Sequence, residues 1–468
     1  MKKLPQSRGR NGEAQDMGTV LLKGVRWLVS CDEDDRVYEG VDLLAKDGVI
    51  AAIGQGLPQQ ADEVLDCSQM LCYPGLVNTH HHLYQQFSRN LPAVQELELF
   101  DWLRALYEIW KNLDAELVRL SALTGMGELM KNGCTTCFDH HYVFPRGSGD
   151  LLGAQFAAAE TLGIRFAASR GSMDLSKKDG GLPPDSVVQT VDEILRDCDE
   201  AITKWHDPGF GSMRTLALAP CSPFSVSEAL LRESARLARQ RGVRLHTHLC
   251  ETKDEERYTL ERFGLRPLAY LERLGWVGPD VWYAHGIHFH DDEIRLLAET
   301  GTGVAHCPGS NMKLSSGVAR LPALLRAGVK VGLAVDGSAS QDGSDLLEEI
   351  RLCYLLHRLT SSREAPSAYQ VLKLATRGGA ALLGREDIGC LAPGKCADLF
   401  LIDCRKPELA GALEDPKSLP ATVGYRQPVD YTMVNGKFTV RKGRLTGVDE
   451  LRLAEEANRV CREYLSRP

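Results

Sequence analysis

Through the middle of the chain, short apolar runs alternate with longer stretches of helical spacing. The runs occupy 71–77, 133–138, 164–168, 215–219, 243–245, 281–284, 303–305 and 329–335. Between them lie helical patterns such as 227–240 and 291–300. Eight strand–helix units in roughly 300 residues predict a (β/α)8 barrel, an α/β fold of the TIM type. Both ends read differently. Residues 19–66 alternate apolar and polar positions and carry turn pairs such as Asp47-Gly48. The stretches 397–403 and 431–440 do the same, the second folding about Asn435-Gly436, a strong hairpin signal. The two ends are therefore expected to pair into a small β-sandwich. The expected organisation is a disordered leader at 1–17 and a discontinuous β-domain from 18–72 and 386–450. The catalytic barrel takes 73–385, and a C-terminal helix takes 451–468.

In a barrel of this kind, chemistry collects where strands end. His80, His81 and His82 follow the first run, and Asp139, His140 and His141 follow the second. The fourth runs into Pro220-Cys221-Ser222 and the fifth into His246-Thr247-His248 and then Glu251. His285, His306 and Asp336 close the sixth, seventh and eighth. The chain has 13 histidines, and most sit at these ends, which scattered surface histidines would not do.

Residues i and i+2 of a strand share a side. His80 and His82 are thus expected to face the axis together, with His81 pointing into the shell. His246 and His248 also share a side, so one of them must lie deeper. Imidazoles plus one carboxylate suit zinc or iron(II), and His80, His82, His248 and Asp336 supply three nitrogens and one oxygen. Glu251 lies three residues beyond His248 and is placed to shuttle a proton; His285 is placed to orient the attacking water.

Composition narrows the class. The 468 residues carry a net charge of -8, which gives no electrostatic reason to bind nucleic acid or an anionic membrane. No apolar run approaches the length of a membrane span, and the first 16 residues lack a secretory core. The 14 cysteines are scattered, as reduced thiols of a cytoplasmic protein would be. Cys134 and Cys137 are expected to be core thiols of one strand.

The pattern H-x-H, H-x-x-E, His and Asp-Gly at successive strand ends resembles the amidohydrolase superfamily. The stretches Pro74–His80, Gly389–Asp398 and His306–Asn311 add to the likeness, which extends over about 18–450. It implies a distorted (β/α)8 barrel with a terminal β-sandwich. No lysine stands at the end of strand four, and H-x-x-E marks the aminohydrolases, so the resemblance implies a deaminase with one divalent metal, zinc or iron(II). The ligands it implies are His80, His82, His248 and Asp336, with Glu251, His285 and Asp336 moving protons. A closer likeness is to the branch acting on 8-oxoguanine, carried by 78–82 with Gln85, 167–173, 179–188 and 219–226. It implies attack of a metal-bound hydroxide on the amino-bearing ring carbon, giving urate and ammonia. Guanine-specific members carry an arginine where this chain has Cys221. Isoxanthopterin, guanine and hydroxy-s-triazines are the alternative substrates.

Gln85, Arg170, Cys221 and Trp102 are the expected substrate contacts. The amphipathic stretch 91–110 reads either as a lid, with Trp102 and Tyr107 over a flat ring, or as a structural contact. The implied partners are a small heterocyclic substrate and further copies of the chain.

Overall fold

The computed structural model describes residues 18–468; the expected leader at 1–17 lies outside the described residues. Eight parallel strands form the barrel: Leu76–Asn78, Cys134–Asp139, Arg165–Ser172, Arg214–Pro220, Arg244–Leu249, Val281–His285, Gly303–His306 and Val331–Leu333. They neighbour one another in chain order from first to last. The second, third, sixth, seventh and eighth are buried along their whole length, as expected of a parallel sheet covered by helices. The helices between them carry ordinary end signals. Glu228–Arg241, for example, is capped by the Ser227 hydroxyl and ends on Gly242 in the left-handed region.

The closure of the barrel matters most for function. Asp336–Gly337 pairs in parallel with His81–His82. Asp336 N–H donates to His80 O at 3.2 Å, and Thr79 Oγ1 donates to Leu333 O at 3.1 Å. The last and first strands thus meet through the segments that carry the first histidines and the last aspartate.

The expected run at 71–77 is two strands. Met70–Pro74 belongs to the terminal sheet and Leu76–Asn78 to the barrel. Gly75 makes the passage between them, where a Cβ would stand 2.1 Å from Thr135 Oγ1. On the other side Met70–Pro74 pairs antiparallel with Leu399–Asp403, which joins the two ends of the chain in one nine-stranded sheet. That sheet encloses its own core, including Leu22, Leu43, Leu401 and Met433. The Asn435-Gly436 turn joins Tyr431–Val434 to Lys437–Arg441, with φ of 49° and 79° at its two central residues. Arg165 at the foot of strand three pairs with Asp398 at 3.1 Å, both buried, and so ties the barrel to this sheet. The last helix is Glu450–Leu465 and buries Ala457, Val460 and Tyr464.

Candidate active site and metal centre

His80, His82, His248 and Asp336 come together at the carboxyl end of the barrel. Asp336 Oδ1 lies 3.1 Å from His80 Nε2 and 3.3 Å from His82 Nε2. His82 Nε2 and His248 Nε2 are 3.1 Å apart. His81 points away, its Nε2 bonding Ser344 Oγ at 3.0 Å.

The hydrogen bonds behind these rings decide what the cluster is. His82 Nδ1 lies 2.7 Å from His140 O, and His248 Nδ1 lies 2.6 Å from Cys221 O. A carbonyl only accepts, so both Nδ1 atoms carry the hydrogen and both Nε2 atoms present lone pairs. His246 Nδ1 is 2.9 Å from Trp282 O, which leaves its Nε2 as the acceptor for His80 Nδ1–H at 2.8 Å. His80 Nε2 is then a lone pair too. His80 Nε2 and Asp336 Oδ1 are buried without a hydrogen-bond donor among the described residues. Acceptors that face one another at about 3 Å need a cation or a shared proton between them, and three imidazole nitrogens with one carboxylate oxygen are the donor set of a divalent metal. Burial also pushes His80 and His248 below the usual imidazole range, His248 to about 3, so they stand neutral, as ligands must be.

A second cluster, His306, Cys353 and His357, is equally buried. There the two Nε2 atoms meet at 3.0 Å, and neither Nδ1 has a partner among the described residues. Metal-bound histidines ordinarily donate their other N–H. This pair is therefore a hydrogen-bonded contact.

Glu251 and His285 flank the cluster. His285 Nε2 lies 3.5 Å from Glu251 Oε2, and its Nδ1 bonds Asn311 Oδ1 at 2.9 Å. Burial, with the charge of Asp336 added, pushes the Glu251 carboxyl well above its usual range, so it holds protons readily. Asp336 Oδ2 accepts from Ser310 Oγ at 2.6 Å and Ser340 Oγ at 2.9 Å, which leaves Oδ1 for the cluster. Cys250, His285 and Asp336 have φ of 53°, 72° and 63°. Left-handed backbone at three non-glycine residues stores strain where the chain turns out of its strands.

Above the cluster lies a cavity lined by Gln85, Trp102, Cys221, His248, Glu251 and His285 among others. It is narrow, with a cavity volume of about 30 Å³. Gln85 is held by Ala339 N–H at 3.3 Å. Burial pushes the Cys221 thiol up to about 12, so it faces the cavity uncharged. Trp102 comes from the helix Leu99–Trp110, and its buried Nε1–H has no acceptor among the described residues. Tyr107 stands behind it, its hydroxyl on Met173 Sδ at 3.4 Å.

Arg170 does not reach this cavity. Its side chain leaves strand three on the outer face, over the Phe144 ring at 3.8 Å, and bonds Gln189 at 2.6 Å and Asp197 at 3.2 Å. The expected substrate contact is a structural ion pair, because the alternation of the strand turns residue 170 toward the helices. Cys134 and Cys137 are buried core thiols of one strand, as expected. The sequence reading gave no role to Ser310, Asn311 or Ser340, although the first two end the motif stretch His306–Asn311.

The comparisons agree with this geometry. A family model described as the amidohydrolase family matches residues 71–439. The chain is 45% identical over 410 residues to 8-oxoguanine deaminase of Pseudomonas aeruginosa, covering 87% of this chain and 91% of that one. It is 43% identical over 465 residues to hydroxydechloroatrazine ethylaminohydrolase of Pseudomonas sp. strain ADP, covering 96% of each. Among solved structures it resembles an atrazine chlorohydrolase of Arthrobacter aurescens TC1 complexed with zinc. The TM-score is 0.91 at 31% identity, over 94% of this chain and 100% of that one. With a histidine-rich centre for a divalent metal at the mouth of an eight-stranded barrel, the chain belongs to the amidohydrolase family and is a hydrolytic enzyme acting on C–N bonds.

Proposed function

We propose that the protein removes the amino group of an oxidised purine, converting 8-oxoguanine and water to urate and ammonia, with zinc as its metal. The observation that carries the deaminase reading is the pair of facing acceptors, His80 Nε2 with Asp336 Oδ1 and His82 Nε2 with His248 Nε2, beside Glu251 and His285. His80, His82, His248 and Asp336 would hold the ion. When bound there, a divalent cation makes a water acidic enough to attack near neutral pH.

The chain's own groups do the rest. Glu251 takes a proton from the attacking water and returns it to the ring nitrogen beside the reacting carbon. His285, anchored through Nδ1 on Asn311, fixes the direction of attack. Asp336, steadied by Ser310 and Ser340, passes a proton to the departing nitrogen. A C–O bond forms, the C–N bond breaks, and ammonia leaves. The 45% relative named 8-oxoguanine deaminase and the uncharged Cys221 support a purine with an oxygen at its five-membered ring. Gln85 and the Trp102 N–H supply polar contacts for its rim.

A second reading rests on the 43% relative named hydroxydechloroatrazine ethylaminohydrolase, which matches over 96% of both chains. There the leaving group is an alkylamine from a hydroxy-s-triazine. The test measures ammonia and alkylamine release from 8-oxoguanine, guanine, isoxanthopterin and hydroxylated s-triazines, with Glu251→Gln protein as control. The proposal expects the highest kcat/KM for 8-oxoguanine, and about 10²- to 10⁴-fold less with Glu251→Gln. A higher value for a triazine transfers the assignment to the second reading.

A further inference from the structure

We infer that His246, which is outside the ligand set, is a positioning residue that holds the ligand His80 in the tautomer and orientation a metal requires. This rests on the metal reading of the site.

His82 and His248 are oriented by main-chain carbonyls, but His80 is oriented by a side chain. Its Nδ1 meets His246 Nε2 at 2.8 Å. His246 is fully buried one layer below His248, two residues earlier on the same face of strand five. Its freedom is removed from several sides. The ring stacks on Trp282 with centroids 4.5 Å apart and planes at 28°, and meets the edge of Phe138 at 5.0 Å. Its Nδ1–H is taken by Trp282 O at 2.9 Å. Trp282 in turn donates its Nε1–H to Thr79 O at 3.2 Å, on the residue before His80. Strand six therefore grips His246 by its ring face and its Nδ1–H and grips the backbone beside His80, while strand two closes the other side with Phe138.

With Nδ1–H committed to a carbonyl, His246 can offer His80 only a lone pair. His80 must then carry its hydrogen on Nδ1 and turn the Nε2 lone pair toward Asp336 Oδ1. An imidazole acceptor behind a ligand imidazole also raises the ligand's basicity, and such partners ordinarily contribute 10- to 100-fold in metal affinity.

The test is a zinc titration of metal-stripped, full-length protein against a competing chelator. It uses wild type, His246→Gln, His246→Asn and His246→Leu, with the unfolding midpoint of each metal-free protein measured alongside. Gln can accept from His80 with its carbonyl and donate to Trp282 with its amide; Asn is too short to do both; Leu does neither. Zinc affinity is expected to fall about 10- to 100-fold in the Leu and Asn variants and to stay within about threefold in Gln. If the Leu variant does not fold, Gln against Asn still decides. Wild-type affinity in Asn or Leu, or an equal loss in Gln, would overturn the assignment. Failure of wild type to bind zinc would overturn the metal reading itself, and this inference with it.

Discussion

Gly337 shows how little room the site leaves a single residue. It follows Asp336 with φ of −69°, which any residue can adopt, so its need for glycine is spatial. A Cβ built there stands 1.9 Å from Gln85 Oε1 and 2.5 Å from Gln85 Cδ. Gly337→Ala is therefore expected to displace Gln85 from the cavity while the ligands stay in place. KM should rise about tenfold or more, kcat should change less, and one equivalent of metal should remain bound. Loss of the metal would show instead that Asp336 moves with Gly337. The residues that meet at the barrel mouth, His80, His82, His248, Glu251, His285 and Asp336, were readable in sequence because strand ends have a period of two and a few residue types serve a metal. Arg170 was misplaced because its strand continues to Ser172, which puts residue 170 inside the strand and on its outer face. The role of His246 was hidden for a related reason. Periodicity puts His246 and His248 on one face but carries no depth, and only the contact with Trp282 on the next strand supplies it.

At the scale of elements, the eight strands were legible as buried apolar runs and their helices as amphipathic spacing. The split of the first run at Gly75 was not, because it depends on Thr135 from another strand. Nor does any local signal show that His285 and Asp336 leave their strands in left-handed backbone. The helix Leu99–Trp110 left two roles open in sequence, and its contacts divide them between two aromatic residues. Trp102 lines the cavity with an N–H that has no acceptor among the described residues, whereas Tyr107 packs behind it on Met173. A substrate carbonyl or ring nitrogen at that rim would take the Trp102 hydrogen. Trp102→Phe keeps an aromatic wall and removes the donor, so KM for the preferred ring should rise about 3- to 10-fold with kcat nearly kept, the range of one neutral hydrogen bond. Tyr107→Phe should leave both constants within about twofold. Steady-state kinetics of the two variants side by side checks the division, and equal effects would assign the whole helix a packing role.

At the scale of the whole molecule, the barrel mouth is braced by a buried carboxylate, Glu349, that has no basic partner among the described residues. Glu349, on the helix Leu346–Ser361, accepts from Gly309 N–H and from the Gln341 amide, both at 3.0 Å. It thereby holds the segment that brings Ser310 to Asp336 and Asn311 to His285. Burial outweighs these hydrogen bonds and pushes its carboxyl from 4.5 up to about 8. A group whose pKa rises on folding adds stability when protonated. That contribution is complete below its unfolded value near 4.5 and is lost as pH climbs through about 8. Glu349→Gln removes the titration and keeps an acceptor for Gly309, and Gln341 Oε1, which has no partner among the described residues, can receive the new amide. All other titrating groups are common to both proteins and cancel in the difference. The unfolding midpoint of Glu349→Gln minus that of wild type is therefore expected to grow in favour of the variant between about pH 5 and pH 8.5, by a few degrees in a chain of this size. Thermal scans of both proteins across that range measure it. A flat difference would mean that Glu349 is ionised throughout, held by a cation this geometry does not provide. A difference growing in favour of wild type would mean that the carboxylate form braces the mouth better than the acid.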